Sequence, residues 1–402
     1  MTYDAIVVGA RCAGAPTALL LARRGYRVLL VDRASFPSDT LSSHFIKTPG
    51  VAKLSEWGLL DEVAATGAPP VCRFRLDYGE VVLSGSPTPM QGIRASYAPR
   101  RLVLDDVLVR AASVAGAEVR EAFNVDELVV ADGRVTGIRA RGRTSTAIEE
   151  RARIVVGADG RNSLVARAVN APTYRARPAL TCAYYTYWSD VSLDAFEGYY
   201  PPHRAILNFP TDANLVCSIV EWPQVEFGRV RSDVETEFWR ALALSPGLFE
   251  RLRSARRVAP IRGTGDLPNF FRTPFGPGWA LVGDAGFHKD PLPAQGISDA
   301  FRDAELLADA ISAGLAGRRE MEDTLADYQR QRDEASSAMY ELTCQRATLE
   351  RPAHAMTALL RALQGNQTDT DRFIGMVIGT VPIPEFFAPE NVQRIISMPA
   401  PV

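Results

Sequence analysis

Apolar runs and helical patterns alternate at the start of the chain. Residues 3–8 (YDAIVV) and 26–31 (YRVLLV) are mostly apolar, and residues 15–25 between them repeat apolar positions with a helical period. Strands buried on both faces of a parallel sheet have such near-continuous apolar runs. The pattern therefore predicts a strand, a helix and a second, parallel strand within the first 32 residues.

The pattern changes further along. We predict a loop and then helices over residues 34–70, a hairpin over 73–83 and a helix from Ser96. An Asp-Gly turn at 132–133 favours a hairpin among short strands at 118–123, 125–130, 135–140 and 152–156. Residues 179–222, rich in aromatic and β-branched residues, favour antiparallel strands. Further helices are predicted at 233–253, 297–315 and 320–342, with a strand at 279–282 and an ordered, proline-punctuated tail after 350.

Composition excludes several classes of partner. The chain has 402 residues, 47% apolar and 23% charged, with a formal net charge of −2, which is typical of a soluble globular protein and gives no indication of nucleic acid or an acidic membrane as partner. There is no run of about 18 apolar residues. Five scattered cysteines lack metal-ligand spacing and fit a reduced cytoplasm, so we expect no metal. Only three of the 45 basic residues are lysines, which we attribute to a GC-rich genome.

The first strand leads into a glycine motif. Residues 9–14 (GARCAG) precede the helical pattern, and Asp32 follows the second strand 18 residues after Gly14. This is the dinucleotide-binding layout, with pyrophosphate at the helix start and an acid for the ribose hydroxyls. Arg11 replaces the middle glycine, so either the loop swings outward or the guanidinium helps hold phosphate. A nucleotide-free unit of the same fold is the alternative.

Two more stretches indicate the same ligand. Residues 157–168 (GADGRNSLVARA) follow a strand end, where ligand groups gather in parallel sheets. Residues 283–296 (GDAGFHKDPLPAQG) lead from a strand into a helix, whose first N–H groups suit an anion. Arg100 and Arg101 stand at the unfavourable end of a helix for a cation, so a nearby anion would explain them, although they could be plain surface arginines.

The return of a strand–loop–helix after the aromatic segment predicts an insertion. We expect a first unit built from residues 1–72, 96–172 and 276–345, and a second from 173–275 to which the hairpin at 73–95 contributes. Residues 346–402 would form a C-terminal helical extension. The aromatic residues of the second unit could line a pocket for a flat substrate, but aromatic strands are more often plain core.

The three motifs, GxxxxG with a distal acid, DG followed by Ser and Arg, and GD followed by Pro and Gln-Gly, stand in one order. This order resembles the FAD-dependent group A monooxygenases, the para-hydroxybenzoate hydroxylase-like flavoproteins, over residues 3–345. The resemblance implies an α/β fold with a glutathione reductase-type Rossmann FAD-binding domain, interrupted by an α+β substrate domain with a mainly antiparallel sheet, plus C-terminal helices.

The resemblance also implies a set of cofactor contacts. Asp32 would hold the adenosine ribose, Arg33 and the backbone of Val125 would lie at the adenine, and Arg101 would lie against the diphosphate–ribityl region. The full set of expected FAD-binding positions is Gly9, Arg11, Cys12, Ala13, Gly14, Asp32, Arg33, Arg100, Arg101, Val125, Asp159, Gly283, Asp284, Pro291, Ala294, Gln295, Gly296 and Ile297.

The remaining implied roles concern the flavin end. Asp159 would couple FAD and nicotinamide binding, and Asp284 would bind the ribitol or its phosphate edge. Residues 291–296 would run under the isoalloxazine. Independently of the resemblance, backbone N–H groups at a helix start suit the negative N1/O2 edge of reduced flavin.

The chain departs from the family pattern at several positions. Gly286-Phe287 replaces Ala-His, with His288 one place later, Ala294 replaces a glycine, and Ser298 replaces an asparagine. These differences concern flavin-edge geometry and how readily the flavin swings. The WxWxIP signature of the related flavin-dependent halogenases is absent, and the three lysines supply no obvious catalytic lysine.

We therefore expect a single-component monooxygenase. It would use FAD, NADH or NADPH and O2 to hydroxylate or epoxidise a small apolar, aromatic or polyketide-like molecule through a flavin C4a-hydroperoxide. The candidate catalytic positions are His44, His288 and Pro291, with His203 a further proton-transfer candidate; His44 is expected to face solvent or the cofactor edge.

Two other functions stay open. The first is a flavoprotein reductase or dehydrogenase of the geranylgeranyl reductase type, without oxygen insertion. The second is a non-catalytic FAD-binding protein. The oligomeric state expected is monomer or homodimer; substrate, regiochemistry and nicotinamide preference are not readable from the sequence.

Overall fold

The computed structural model describes residues 2–142 and 146–397. Within them the strands are β1 (Thr2–Val8), β2 (Val28–Val31), β3 (Phe74–Asp77), β4 (Val82–Gly85), β5 (Glu118–Arg120), β6 (Asn124–Ala131), β7 (Arg134–Arg141), β8 (Ala147–Gly157), β9 (Thr173–Arg177), β10 (Thr181–Ser189), β11 (Phe196–Tyr199), β12 (Ala205–Thr211), β13 (Leu215–Pro223), β14 (Arg256–Arg257), β15 (Arg262–Thr264), β16 (Asn269–Arg272), β17 (Phe275–Gly276), β18 (Trp279–Leu281) and β19 (Phe287–His288).

The α-helices of the described residues surround these strands. They are α1 (Gly14–Arg23), α2 (Thr48–Glu56), α3 (Leu60–Ala64), α4 (Arg101–Val114), α5 (Leu164–Ala168), α6 (Phe227–Ser232), α7 (Val234–Leu242), α8 (Pro246–Arg253), α9 (Gly296–Leu315), α10 (Met321–Arg346), α11 (His354–Leu363), α12 (Gln367–Ile378), α13 (Ile383–Phe386) and α14 (Pro389–Ser397).

The first sheet has the order β17-β18-β8-β1-β2-β5, and β6 and β7 form an antiparallel extension on β8. From β18 to β5 the strands are parallel. Helices α1, α4 and α9 pack together on one face of it. The apolar runs of β1 and β2 are buried, as expected for parallel strands covered on both faces. The carboxyl ends of β1, β2 and β8 therefore meet at one edge.

The second sheet has the order β14-β10-β13-β12-β11-β3-β4, with β15 beside β10. Its pairings are antiparallel except for β11 with β3, so the hairpin of β3 and β4 joins this sheet from far earlier in the chain. Alternate residues of β10 enter two different cores. Tyr185 and Tyr187 lie in a core shared with α11, α12 and Ala294, whereas Tyr184 and Trp188 pack on α6 to α8. One face of the sheet therefore looks toward the loop before α9.

A third sheet, β19-β16-β9, and the long helix α10 connect the two larger sheets. The architecture confirms the predicted fold class. The predicted domain boundaries stay a prediction.

Two predicted helices differ from the structure, and proline explains both differences. The helix expected from Ser96 begins only at Arg101, because Ser96 and Tyr97 form bridges with Val71 and Ile46. A residue that precedes a proline disfavours the helical region, and Ala98 directly precedes Pro99. The helix expected over 233–253 is two helices, α7 and α8, and the second has its proline at the first turn.

The cysteines are all free thiols. Within residues 2–142 and 146–397 no His, Cys, Asp or Glu cluster could hold a metal ion, and no helix combines the length and hydropathy of a membrane span.

Candidate active site

The three motifs meet at the carboxyl edge of the first sheet. Gly9 has φ of +102°, and a Cβ on it would lie 2.4 Å from the carbonyl oxygen of Ala158. A Cβ on Gly14 would lie 1.7 Å from the carbonyl oxygen of Gly9, and one on Gly283 would lie 2.6 Å from Cβ of Ala13. Gly9 and Gly283 thus need to lack a side chain because another motif touches them, and Gly14 because the motif folds back on its own Gly9. We call Gly9, Gly14 and Gly283 the glycine cluster.

Asp32 lies directly after β2 and holds the first loop. Its Oδ2 accepts the N–H of Ala10 at 2.7 Å, and its Oδ1 accepts the N–H of Ala34 at 2.8 Å. Each carboxylate oxygen keeps a second lone pair. Arg33 beside it is exposed, and the side chain of Val125 is buried in the core beneath β6. This edge can accept a ribose.

Arg11, which replaces the middle glycine of the first motif, is held by a carboxylate of the chain. Its Nη1 lies 2.5 Å from Oδ2 of Asp105, and its guanidinium donates to the backbone oxygen and hydroxyl of Ser38. Arg101 binds Oδ1 of the same carboxylate at 2.9 Å. The thiol of Cys12 donates to that oxygen at 3.3 Å, and burial raises the pKa of this thiol, so it stays protonated.

We call Arg11, Cys12, Arg101 and Asp105 the Asp105 cluster. It carries an excess of one positive charge, because two guanidinium groups share one fully buried carboxylate. Burial by itself lowers the pKa of Arg101. The negative groups around its guanidinium, Asp105 and Asp284 among them, outweigh burial and raise the pKa overall. Asp284 itself is exposed, and within the described residues it has no hydrogen-bond partner. A cationic cluster beside a glycine loop at a helix start fits a pyrophosphate.

Arg100 also has an anion beside it, but the anion belongs to the chain. Its side chain lies 2.7 Å from Oδ2 of Asp212, and its N–H donates to Oδ1 of the same residue. This ion pair links the start of α4 to the second sheet. The prediction that a nearby anion explains the two arginines is met by Asp212 and Asp105, without a ligand.

Asp159 caps a helix. Its carboxylate accepts the hydroxyl of Ser163 at 2.5 Å and the N–H of Leu164 at 2.6 Å, and burial raises its pKa. A carboxylate at this position satisfies the orphan donors at the start of α5. Its coupling role between FAD and nicotinamide stays a prediction.

The loop before α9 turns through Ala294, which has φ of +51° and donates its N–H to the carbonyl oxygen of Pro291 at 2.6 Å. Gln295 occupies the N-cap position, and α9 begins at Gly296. A Cβ on Gly296 would meet no atom within 4 Å, so open space adjoins the helix start, while Ile297 is buried. This space suits a flat ring laid against the loop.

The histidines do not meet at one point. His44 is 1% exposed, so the expectation that it faces solvent is wrong; Ala98 accepts from its Nδ1, and burial lowers its pKa to about 4. The ring of His288 stacks on Phe270, and its Nδ1 contacts the carbonyl of Pro268. His203 is exposed.

A cavity of about 40 Å³ lies between the second sheet, the loop before α9, and helices α10 and α12. The candidates His44, His288 and Pro291 are absent from its lining. Its walls are mostly apolar, and they also carry two cations, Lys47 and Arg346. The lining residues are Phe45, Lys47, Phe74, Leu76, Phe196, Tyr200, Leu292, Pro293, Ala294, Met339, Leu342, Thr343, Arg346, Ile374, Val377 and Ile378.

Most aromatic residues of the second sheet are core, as the more common outcome for aromatic strands predicts; Phe196 and Tyr200 reach the cavity. Sequence analysis missed Lys47 and Arg346. Lysine is scarce in this arginine-rich chain, and that scarcity is the sequence signal that could have drawn attention to Lys47.

Comparison with known proteins agrees with this geometry. The model of an FAD binding domain family matches residues 2–265. A tryptophan 2-halogenase from Chondromyces crocatus is 26% identical over 341 residues, which are 81% of this chain and 64% of that protein, so the chain spans less than two thirds of this relative. A digeranylgeranylglycerophospholipid reductase from Methanothrix thermoacetophila is 28% identical over 330 residues, 79% of this chain and 80% of that protein.

Solved structures share the fold. The myxobacterial chondrochloren halogenase superimposes with a TM-score of 0.80 at 21% identity, covering 98% of this chain and 96% of that one. A probable FAD-dependent monooxygenase from Pseudomonas aeruginosa superimposes with a TM-score of 0.71 at 20% identity, covering 94% and 100%. Because the family model spans well over half of the chain, the protein belongs to the FAD binding domain family and is a flavoenzyme of the oxidoreductase class.

Proposed function

We propose that the protein is an FAD-dependent monooxygenase that uses NADH or NADPH and O2 to hydroxylate or epoxidise a small apolar molecule. The observation that carries the proposal is the narrow apolar cavity behind the loop of residues 292–294. A cavity of about 40 Å³ has room for only a few waters. Exclusion of water is what oxygen transfer needs, because reactive intermediates decay when water enters.

The residues divide the work between binding and orientation. The glycine cluster and the Asp105 cluster would hold the pyrophosphate, and Asp32 the ribose. The first N–H groups of α9 would stabilise negative charge at the N1/O2 edge of the ring. When bound, FAD supplies the electron transfer and the activation of O2. The walls of the cavity position the substrate and keep it dry.

The structure offers a proton carrier other than the predicted histidines. Lys47 Nζ lies at the cavity and donates to the carbonyl oxygen of Val377 at 2.5 Å, and burial lowers its pKa to about 7. A group with this pKa exchanges protons readily at neutral pH. In this proposal Lys47 Nζ, rather than His44 or His288, holds the proton that a substrate oxygen gains or loses.

The second candidate is a flavoprotein reductase without oxygen insertion. It is favoured by the relative that is 28% identical over most of both chains, a digeranylgeranylglycerophospholipid reductase. An apolar cavity beside a flavin suits hydride transfer to a double bond equally well. The two reactions differ in whether product formation consumes O2.

The test begins without oxygen. The FAD-loaded protein is mixed anaerobically with NADH or NADPH, flavin bleaching is followed, and phenols and polycyclic aromatics are added in turn. Bleaching accelerated by one ligand, followed by product carrying label from isotopically enriched O2, is the expected result. Product formed without O2 would establish the reductase, and product brominated when bromide is added would establish a halogenase. Failure of both nucleotides, while dithionite still reduces the flavin, would overturn the single-component proposal.

A further inference from the structure

The two cations of the cavity, Lys47, which is buried, and Arg346, which is half-buried, differ from other buried or half-buried cations nearby. Lys289 pairs with Asp299, Arg302 with Asp303, and Arg332 with Asp333. Buried charges ordinarily have such a partner, because an uncompensated one costs several kcal/mol. Across residues 2–142 and 146–397, neither Lys47 nor Arg346 has a carboxylate partner.

Lys47 is 2% exposed, and the two oxygens that its ammonium group contacts, those of Val377 and Gln295, are neutral. The carbonyl of Val377 accepts one hydrogen bond at 2.5 Å, and Oε1 of Gln295 lies at 3.4 Å, beyond the usual length. An ammonium has three donors. At least one of them therefore lacks a good acceptor.

Arg346, at the end of α10, has even weaker partners. Its Nη2 lies 3.4 Å from the hydroxyl of Tyr78, and its guanidinium lies 5.0 Å from the ring centre of Tyr200. Two aromatic groups stabilise a cation only modestly. Most of the five guanidinium donors are free for a ligand.

Nearby acids do not cancel these charges. Burial raises the pKa of Glu221 well above its ordinary value, and raises that of Asp290 to about 6. Asp290 also accepts the hydroxyl of Thr181 at 2.7 Å. Burial therefore disfavours a negative charge on Glu221, and Asp299 is occupied by Lys289 and Arg302.

We propose that the cavity binds an apolar acid, with its carboxylate between Lys47 and Arg346 and its hydrocarbon or aromatic part along Phe74, Phe196 and Ile374. This proposal rests on the proposed function and specifies its substrate class. Planar guanidinium binds carboxylate through paired hydrogen bonds, and an ammonium adds a third. The small volume of the cavity means that α12, which carries Val377, moves aside when the acid enters.

The experiment compares acids with their uncharged amides on the FAD-loaded protein, without turnover. The probes are benzoate, 2-naphthoate and 4-phenylbutanoate, each paired with its primary amide, and binding is measured by calorimetry. We expect each acid that fits to bind about tenfold tighter than its amide, the value of one charge-assisted hydrogen bond.

Variants assign the preference to the two cations. Lys47→Met and Arg346→Met should each remove most of the acid preference while amide affinity stays within about twofold. Arg346→Lys, which keeps the charge, should retain part of it and serves if Arg346→Met does not fold. The matched controls are Lys53→Met and Arg330→Met, whose side chains pair with surface acids, and both should bind like the wild type.

A proton measurement gives a second readout. Lys47 faces Lys289, Asp299 and Arg346, and burial holds its pKa near 7 in the free protein. A bound carboxylate favours the charged ammonium, so acid binding near pH 8 should take up a proton. Calorimetry in phosphate and in Tris, which differ in ionisation enthalpy, detects this uptake, and Lys47→Met should abolish it.

Equal affinity for acids and amides, an undiminished preference in both methionine variants, or no acid with a dissociation constant below about 1 mM would overturn the proposal. Acid-selective binding in a protein that transfers no oxygen would leave this inference standing and remove only the monooxygenase assignment.

Discussion

The glycine cluster and the cavity both adjoin the segment of residues 283–296, and they are built in opposite ways. The glycine cluster comes from two continuous motifs that pack so closely on each other and on Ala158 of the third that a Cβ has no room. The cavity is lined by residues scattered from position 45 to position 378, of which only Leu292, Pro293 and Ala294 belong to one of the motifs. In the proposed function, the first is a backbone cradle for a common cofactor and the second is a side-chain surface for a particular substrate.

The region of the glycine cluster and the cavity also differ in how their positive charges are balanced. At the cofactor end a buried carboxylate, Asp105, balances one of two arginines. At the cavity two cations stand without a carboxylate in the described chain. Under the proposed function, the protein would carry its own counter-ion at the cofactor site and leave the charge open at the substrate cavity.

The largest expected effect is at the cradle. Gly14→Ala places a methyl group 1.7 Å from a backbone oxygen that cannot yield without moving the loop. We expect loss of bound FAD and a fall of more than about 4 kcal/mol in the free energy of unfolding. The flavin content of the purified protein and a denaturation curve measure both. Gly228→Ala, where a Cβ meets nothing within 4 Å, is the control and should keep its FAD, with a stability raised by at most about 1 kcal/mol because Gly228 lies in α6.

The second prediction tests Asp105 as the counter-ion of Arg11 and Arg101. Asp105→Asn leaves Arg11 and Arg101 buried without a carboxylate, and we expect a loss of about 3 kcal/mol in the free energy of unfolding. Asp106→Asn, one residue along the same helix, removes only a partly exposed pair with Arg110 and should stay within about 0.5 kcal/mol. Equal effects of the two variants in urea denaturation would contradict the buried role of Asp105.

The third prediction concerns the cavity and pH. Burial lowers the pKa of Lys47 from 10.5 to about 7, so between these values the unfolded chain binds more protons than the folded one. Stability contributed by this site must therefore rise with pH across that window, by at most about 1.4 kcal/mol per unit. Lys47→Met should be more stable than the wild type at pH 7, with a gap that narrows toward pH 10. Denaturant midpoints across this range measure the gap, and a constant one would refute the assignment.

The smallest effect lies in the loop between the two regions. Ala294 has a left-handed φ of +51°, which costs a residue with a side chain about 1 kcal/mol. Ala294→Gly removes this cost but increases the entropy of the unfolded chain, so a net gain of about 0.5 kcal/mol is expected in urea denaturation. Ala300→Gly in α9, where the backbone is helical, should instead lose about 1 kcal/mol. A loss at both positions would show that the buried methyl group of Ala294 matters more than its backbone strain.

Much of the fold was predictable because its signals are local. The apolar runs of β1 and β2, the glycine motif between them and the turn chemistry of β6 and β7 each depend on neighbours a few residues away. The predicted helix boundaries were wrong where a β-bridge to a distant residue or a proline outweighed the helical periodicity of the sequence, as at Ser96 and Pro246.

The candidate site was only partly predictable. The sequence suggested an anion near Arg100 and Arg101, but their spacing could not show that Asp212 and Asp105 lie there, and their role toward FAD stays a prediction. His44 lies in a polar stretch of sequence, yet tertiary packing against Tyr187 and Phe209 buries it. Polarity of neighbours in sequence says little about burial when the chain passes between two sheets.

The sequence by itself determined the family, the cofactor class and the fold, because a dinucleotide cradle needs glycines and acids at fixed spacing along the chain. Only the tertiary structure decided which side chains line the cavity that we propose for the substrate. Lys47, Tyr200 and Arg346 come from three distant segments, and no spacing relates them. Their meeting depends on how two sheets and a helix pack, which is a property of the whole core.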